Sequence, residues 1–154
     1  MTLSDILRAD AVKILGSVTS KKRLFHDIGD LAEGAYGLNA GLVIEALLER
    51  ENLGPTGVGH GVALPHARLS DVTDVCGLFL RLERPLDFDA VDRQPVDLIF
   101  TLLAPENAGV EHLKALALVS RTMRDEAVCA KLRANTQAGT IHTILTEAPT
   151  TAAA

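Results

Sequence analysis

The chain is poor in aromatic residues and in basic charge. It contains no tryptophan, one tyrosine and four phenylalanines, so aromatic residues make up 3% of the sequence. Its formal net charge at pH 7 is −5. Proteins that bind nucleic acids need a basic surface and usually aromatic side chains on which bases stack. The composition therefore argues against a nucleic-acid partner, and it indicates a core built from leucine, valine, isoleucine and alanine.

Cysteine is scarce, and long apolar runs are missing. Cys76 and Cys129 lie far apart and fit neither a metal-binding nor a redox spacing. Buried, reduced thiols in a cytoplasmic protein are the default expectation for such a pair. The sequence shows no charged leader followed by an apolar segment, and no apolar run of membrane-spanning length. We expect a cytoplasmic protein that does not insert into a membrane.

The hydrophobic pattern predicts one domain in which helices precede and follow a cluster of strands. A chain of 154 residues is long enough for one hydrophobic core. The order of elements favours an α/β fold, with a single mixed sheet of about five strands and helices on both faces. We place the domain at residues 1–147 and expect 148–154 to form a flexible tail of small residues.

Periodicity and capping residues place the individual elements. Ser20 is a good helix N-cap, and Gly54-Pro55 supply a stop for a second helix. The segment 85–95 reads as a turn-rich connection with room for one edge strand. The predicted helices begin at Ser20, span 39–52, follow 107–109, and span 125–134 and 140–145; the predicted strands cover 11–15, 62–64, 75–82 and 96–103.

The apolar spacing also predicts which sides of these helices are buried. Positions three and four residues apart share one helix face, so each run of such positions should turn toward the core. The predicted buried positions are Leu24, Ile28, Leu31 and Ala35 in the first helix, Leu42, Val43, Ala46 and Leu47 in the second, and Leu113, Leu116, Ala117 and Met123 in the third.

A glycine-rich bend leads into a proline and a histidine. Gly57, Gly59 and Gly61 permit positive φ angles and close approach of other groups. Pro65 fixes its own φ and favours extended geometry in the residue before it, so His66 should emerge from a strand end on a nearly pre-set backbone. A neutral imidazole held in this way suits nucleophilic work, but a metal ligand or a packed loop histidine fits the same pattern. Backbone N–H groups around the bend could form a concave anion cradle.

The residues around this histidine carry a family resemblance. The segment VGHGVALPHA, residues 58–67, follows Glu51 by seven positions and resembles the signature of phosphotransferase-system enzyme IIA domains of type 2, the fructose, mannitol and nitrogen class. The segments 46–59, 95–106 and 111–117 look familial as well. The likeness extends to about residue 147 and implies a single, mostly five-stranded mixed sheet with flanking helices.

The resemblance assigns expected roles to three residues. It implies that His66 accepts a phosphoryl group, as a tele-phosphohistidine, from a small phosphocarrier protein similar to HPr or NPr. It implies that His112, in a Glu-His-Leu segment, orients His66 or hydrogen-bonds to the phosphoryl group. It also implies a phosphate contact for Arg50, which would alternatively only complement the dipole of its helix. No cofactor or metal is expected, because the donor is already a high-energy phosphohistidine.

Several other assignments fit some of these residues. A zinc site built from His60, His66 and His112 is conceivable, but the sequence offers no close histidine pair on one helix. A dinucleotide-binding loop fails, because Val62 stands where the third glycine is needed. Glu51 fits a residue that braces the loop, and Arg68 fits a solvated charge or part of a docking rim.

Three functions fit the sequence. A chain of this length without transport modules looks most like the nitrogen-regulatory branch, in which phosphorylation controls partner proteins. The second is a fructose- or mannitol-specific IIA that passes its phosphate to a separate IIB protein. The third is a binding module without transfer chemistry.

Overall fold

In the computed structural model the described residues are 1–148, and these form six helices and six strands. The predicted flexible tail lies, from residue 149 onward, outside the described residues. The helices are α1 (Leu3–Ile6), α2 (Lys21–Tyr36), α3 (Ala40–Leu53), α4 (Val110–Arg124), α5 (Glu126–Ala134) and α6 (Ala138–Thr146), and the strands are β1 (Leu7–Leu15), β2 (Gly57–Gly59), β3 (Val62–Ala63), β4 (His66–Leu69), β5 (Cys76–Leu86) and β6 (Val96–Pro105).

All six strands belong to one mixed sheet. Its order is β1-β5-β6-β3-β2, and β4 also pairs with β6. The pairs β1–β5, β3–β6 and β4–β6 are parallel, whereas β5–β6 and β2–β3 are antiparallel. The predicted α/β class and mixed sheet are therefore confirmed, with six strands where about five were expected.

The centre of the sheet is covered on both faces. Every residue from 98 to 104 in β6 is at most 1% exposed. Successive side chains of a strand point to opposite faces, so burial of a whole run requires packing on each side. Helices α2, α4 and α6 contact strands of the sheet, and α3 contacts β4. His66, the first residue of β4, thus begins a short strand between β6 and α3.

Side-chain caps explain where three of the helices begin. Ser20 accepts a hydrogen bond from the Arg23 backbone N–H, and Asn39 accepts one from Leu42. Asp125 accepts bonds from two backbone N–H groups in the first turn of α5. Each cap satisfies donors that have no partner within the helix. The predicted start at Ser20 and the predicted helices near 39–52 and 125–134 are confirmed to within one or two residues.

The structure corrects two predicted features of the strands. Segment 85–95 contains no additional strand: β5 itself continues to Leu86, which pairs with Val96 at the base of the β5–β6 connection. Strand β4 was not predicted, because Pro65 suggested the end of an extended run. The Pro65 carbonyl instead accepts a hydrogen bond from Leu102 N–H at 3.0 Å, so the proline starts a new ladder without needing a donor of its own.

The predicted buried faces of α3 and α4 are partly wrong. Leu42 is 46% exposed and Leu113 is 64% exposed. In α4 the buried face runs through His112, Ala115, Val119 and Met123, one residue out of phase with the face expected from Leu113. The packing of α4 against the sheet therefore buries His112 and leaves Leu113 exposed to solvent.

The two cysteines are buried and unbridged, as expected. Burial raises the pKa of the Cys76 thiol to about 12 and also raises that of Cys129. Neither thiol is therefore poised as a nucleophile. Within the part of the chain that the structure describes, no helix combines the length and apolar character needed to cross a membrane.

Candidate active site

The His66 ring is held by a backbone carbonyl two residues earlier in the chain. Its Nδ1 lies 2.9 Å from the Leu64 carbonyl oxygen. A carbonyl can only accept, so Nδ1 carries the proton and donates it. The proton-free Nε2 is then the nitrogen that remains for chemistry. The half-buried side chain lines a cavity of about 410 Å³ between α3, β4 and the start of α4.

His112 lies against His66 in the same cavity. It occupies the first turn of α4 and is only 6% exposed. The two ring centroids are 5.7 Å apart, and the ring planes meet at 70° in an edge-to-face arrangement. Burial lowers the pKa of His112 below its ordinary value of 6.5, and the neighbouring His66 and Arg68 lower it further. His112 is therefore a neutral imidazole near pH 7.

The two nitrogens of the His112 ring have different surroundings. Arg68 Nε donates to His112 Nδ1 at 3.2 Å. His112 Nε2 is buried and has no hydrogen-bond partner among the described residues. A buried polar atom without a protein partner is uncommon and costly, so this nitrogen needs an explanation beyond packing. The Arg68 contact was not predicted. Recognition of β4 would have suggested it, because residues 66 and 68 of one strand share a face.

Arg50 reaches the cavity from the last turn of α3. Its Nη1 donates to the Gly54 carbonyl oxygen at 3.0 Å, so part of the guanidinium satisfies the end of its own helix. The side chain also lines the cavity together with His66, Arg68 and His112. The structure thus brings together all three predicted site residues, His66, His112 and Arg50, and adds Arg68.

Glu51 supports the loop before the histidine. It is 8% exposed, and its carboxylate pairs with Lys21 at 3.0 Å. It also accepts hydrogen bonds from Thr56, at 2.9 Å from the backbone N–H and at 2.6 Å from the hydroxyl. The Thr56 carbonyl in turn accepts from the N–H of Leu64 at 2.9 Å. Glu51 therefore stabilises, through Thr56, the position of Leu64, whose carbonyl orients the His66 ring.

The glycine bend does not lie in this cavity. An added Cβ at Gly57 would meet Ala90, one at Gly59 would meet Asp92, and one at Gly61 would meet Arg133 and Asp97. None of the three glycines lines the cavity that holds His66, His112 and Arg50. The predicted cradle formed by Gly57, Gly59 and Gly61 is therefore corrected. These glycines let the β2–β3 turn fit closely against the 87–95 loop and the Arg133 side chain.

His60 is also separated from the other histidines. Its backbone N–H donates to Asp92 at 2.9 Å, and its carbonyl accepts from Arg133 at 2.8 Å. The side chain lines a second cavity, of about 720 Å³, next to the end of α4. Within residues 1–148, no group of three or more histidine, cysteine or carboxylate side chains is arranged to hold a metal ion. The zinc alternative built from His60, His66 and His112 has no geometric basis.

This fold and this pair of adjacent histidines identify the class of protein. Residues 5–148 match the family described as phosphoenolpyruvate-dependent sugar phosphotransferase system, EIIA 2. The match spans nearly the whole chain, so the protein belongs to this enzyme IIA family, and the resemblance stated from the sequence is confirmed.

Within the family the chain is similar to nitrogen regulatory proteins. It is 46% identical over 153 residues to the one from Bradyrhizobium diazoefficiens, covering 99% of this chain and 100% of that protein. It is 38% identical over 148 residues to the one from Escherichia coli, covering 96% and 91%. The crystal structure of nitrogen regulatory protein IIA-Ntr from Neisseria meningitidis matches with a TM-score of 0.85 and 41% identity, over 92% of this chain and 97% of that one.

Proposed function

We propose that this protein accepts a phosphoryl group on Nε2 of His66 from a histidine phosphocarrier and acts as a regulatory switch of the nitrogen type. The observation that carries the proposal is the hydrogen bond from His66 Nδ1–H to the Leu64 carbonyl. It leaves a lone pair on Nε2 of a ring that lines a cavity shared with His112. This nitrogen is the one expected for a tele-phosphohistidine.

The proposed reaction is an in-line transfer between two imidazoles. The Nε2 lone pair of His66 forms a bond to phosphorus, while the bond from phosphorus to the donor nitrogen breaks and its electron pair stays with the carrier. The transition state for such transfers is loose, so the protein contributes mainly position and charge stabilisation. His112 Nε2–H donates to a phosphoryl oxygen, and the guanidinium of Arg50 offers a further charge-assisted contact.

Exposed apolar side chains support docking of a protein partner at this cavity. Leu53 is 85% exposed and lines the cavity, and Val110 and Leu113 on the first turn of α4 are 62% and 64% exposed. Clustered exposed apolar residues mark interaction surfaces more often than single ones do. A small phosphocarrier of the HPr or NPr kind would place its phosphohistidine at the centre of this surface.

The similarity to nitrogen regulatory proteins supports the regulatory part of the proposal. Phosphorylation adds a charge of about −1.5 to −2 at pH 7, which directly changes the affinity of any partner that covers the site. We also propose that the protein is cytoplasmic and that its phosphorylation state controls its binding to regulated partner proteins.

The proposal is tested by incubation with a phosphorylated carrier and mapping of the modified residue. We expect acid-labile phosphate on His66 and none on the His66→Ala variant. His26→Ala, which removes an exposed histidine of α2, is the matched control and should behave as wild type. In His112→Ala, transfer should slow while His66 is still modified. Phosphate on another residue, or none on the wild-type protein, refutes the proposed chemistry.

A second assay separates regulation from transport. The phosphorylated protein is mixed with a IIB protein and fructose or mannitol. We expect no rapid formation of sugar phosphate. Sugar phosphate formed at a useful rate would replace the regulatory assignment with a sugar-specific IIA, while leaving the role of His66 intact.

A further inference from the structure

We propose that Arg68 is a positioning residue that fixes the tautomer of His112 and so keeps a hydrogen-bond donor aimed at the phosphoryl site. The inference rests on the proposed function for the use of that donor, but the tautomer itself is a property of the unphosphorylated protein. It gives Arg68 a role more specific than that of a solvated charge or a docking rim.

The direction of one hydrogen bond sets the position of the proton on the His112 ring. Arg68 Nε donates to His112 Nδ1 at 3.2 Å. Arginine has donors only and stays protonated, so the imidazole nitrogen that faces it must be the acceptor. In a neutral imidazole one nitrogen carries the proton and the other does not. Because Nδ1 accepts, the proton of His112 is on Nε2.

The surroundings of the other ring nitrogen favour the same tautomer. His112 Nε2 is buried and has no partner among residues 1–148. The alternative tautomer would point a proton from Nδ1 at the Arg68 N–H and leave Nε2 as a buried acceptor. Such an acceptor would face the lone pairs of any phosphoryl oxygen. Only in the tautomer that Arg68 favours does the unpartnered Nε2 carry a proton that it can donate to a phosphoryl oxygen.

The charges around His112 favour the neutral ring. From β4 it faces His66 and Arg68, and Arg50 of α3 lines the same cavity. Glu49 of α3 also lines this cavity, while Glu111 of α4 is exposed and lies 3.9 Å from Lys114. Burial and the two β4 neighbours lower the pKa of His112, so the doubly protonated ring is disfavoured near pH 7. The ring therefore holds one proton, and Arg68 decides its position.

Two substitutions of equal charge separate the hydrogen bond from the electrostatic effect. In Arg68→Gln the amide nitrogen can occupy the position of the arginine Nε and donate to His112 Nδ1. In Arg68→Met a side chain of similar length has no donor. Both variants remove one positive charge, so any difference between them reports the hydrogen bond. Arg121→Ala, which removes an exposed arginine from the same helix as His112, controls for net charge.

The main readout is the protonation of the His112 ring, measured from the nitrogen chemical shifts of the imidazole by NMR on the unphosphorylated protein. We expect the Nε2–H tautomer in wild type, Arg68→Gln and Arg121→Ala. In Arg68→Met we expect a mixture with Nδ1–H. The rate of phosphoryl transfer from a phosphorylated carrier should fall roughly tenfold in Arg68→Met and much less in Arg68→Gln, as for loss of one oriented donor.

Several results would overturn the inference. It fails if the wild-type ring carries its proton on Nδ1, or if Arg68→Gln and Arg68→Met show the same tautomer population. Equal loss of transfer rate in both variants, with the ring unchanged, would show that Arg68 acts through its charge alone. If the carrier does not phosphorylate His66 at all, the proposed function fails, while the NMR comparison still decides the tautomer.

Discussion

At the scale of single residues, His66 and His112 carry their protons on different ring nitrogens. His66 donates through Nδ1 to a carbonyl, so its Nε2 offers a lone pair. His112 accepts through Nδ1 from Arg68, so its Nε2 offers a proton. The same side chain thus presents a proton-free nitrogen at one position and an N–H donor at the other. The difference comes from the partner that each Nδ1 meets.

The buried, neutral His112 predicts a pH dependence of stability. Its pKa is lowered in the folded protein relative to the ordinary value of 6.5. As the pH falls below about 6.5, the unfolded chain binds a proton that the folded protein refuses, so the free energy of unfolding decreases. The loss is at most about 1.4 kcal/mol per pH unit for one proton, and it ends below the folded pKa.

Urea unfolding between pH 5 and pH 7.5 measures this effect. We expect His112→Gln, which cannot titrate in this range, to lose less stability on acidification than wild type. His26→Gln, at an exposed position of α2, should keep the wild-type slope. An identical slope in the His112 variant would contradict the assignment of a lowered pKa to this histidine.

At the scale of elements, two glycines of α2 have opposite expected effects. A Cβ at Gly29 would lie 2.6 Å from the side chain of Ile44 and 3.0 Å from the Ala40 carbonyl oxygen. At Gly34 it would meet nothing within 4 Å. Gly29 permits the close approach of α2 and α3, while Gly34 only weakens the helix.

The two alanine variants test this difference. Gly29→Ala should destabilise the protein by about 1–3 kcal/mol, because α3 must shift to relieve overpacking. Gly34→Ala should stabilise it by up to about 1 kcal/mol through helix propensity. Thermal or urea unfolding measures both. A neutral Gly29→Ala would show that the α2–α3 contact is looser than the structure indicates, and destabilisation by Gly34→Ala would show that Gly34 is not in open space.

The buried carboxylate of Glu51 connects the stability of α3 to the site. In Glu51→Gln, Lys21 loses its buried partner and the Thr56 contacts weaken, so we expect a loss of roughly 2–3 kcal/mol. The Leu64 carbonyl should also be less well placed, so phosphoryl transfer should slow even where the variant is fully folded. Glu45→Gln, at an exposed position of the same helix, is the matched control for both measurements. A variant with wild-type transfer rates would confine Glu51 to a stabilising role.

Local sequence signals predicted where the helices begin better than which of their faces are buried. Ser20, Asn39 and Asp125 are caps whose effect depends on the next three residues, so the helix starts followed from the sequence. The phase of α4 did not, because His112 looks polar in isolation, whereas Leu113 looks like a core residue. The buried position of His112 depends on its contacts with His66 and Arg68 of β4, which are distant from it in sequence.

At the scale of the whole molecule, the last helix completes the packing of the first strand. Ile141 and Leu145 of α6 are both 0% exposed, and α6 contacts β1. His142 Nε2 lies 2.9 Å from the Leu7 carbonyl oxygen. Among the described strands β1 pairs only with β5, so α6 packs against a strand at the edge of the sheet.

Leu145→Ala therefore tests a contact between the two ends of the fold. We expect a loss of about 2–5 kcal/mol, as for other fully buried leucines. Transfer to His66 should be unchanged below the unfolding transition, because α6 does not line the site cavity. Thr143→Ala, at an exposed position of α6, should change stability little. A selective loss of transfer in Leu145→Ala would instead indicate coupling between α6 and the site.

The assembly of the site could be predicted from the sequence only through family resemblance. His66, His112 and Arg50 are dispersed over more than sixty positions, and nothing in their local patterns states that β4 lies beside α3 and α4. The parallel pairing of β4 with β6 brings them together. The glycine bend was misassigned for the same reason. Its conformation followed from its residues, but its neighbours, Asp92, Asp97 and Arg133, are set by the sheet order.

The pairing of β4 with β6 has a consequence for how a phosphorylated form would be recognised. His66 is registered opposite Leu102, and the preceding proline carbonyl is bonded to the same residue. Because Pro65 and His66 are both held against β6, the backbone of His66 cannot move outward when its ring is phosphorylated. The two forms should then have nearly the same shape and differ in surface potential. Such a potential decays over about 8 Å at physiological ionic strength, so partners that distinguish the two forms should do so less well as the salt concentration rises.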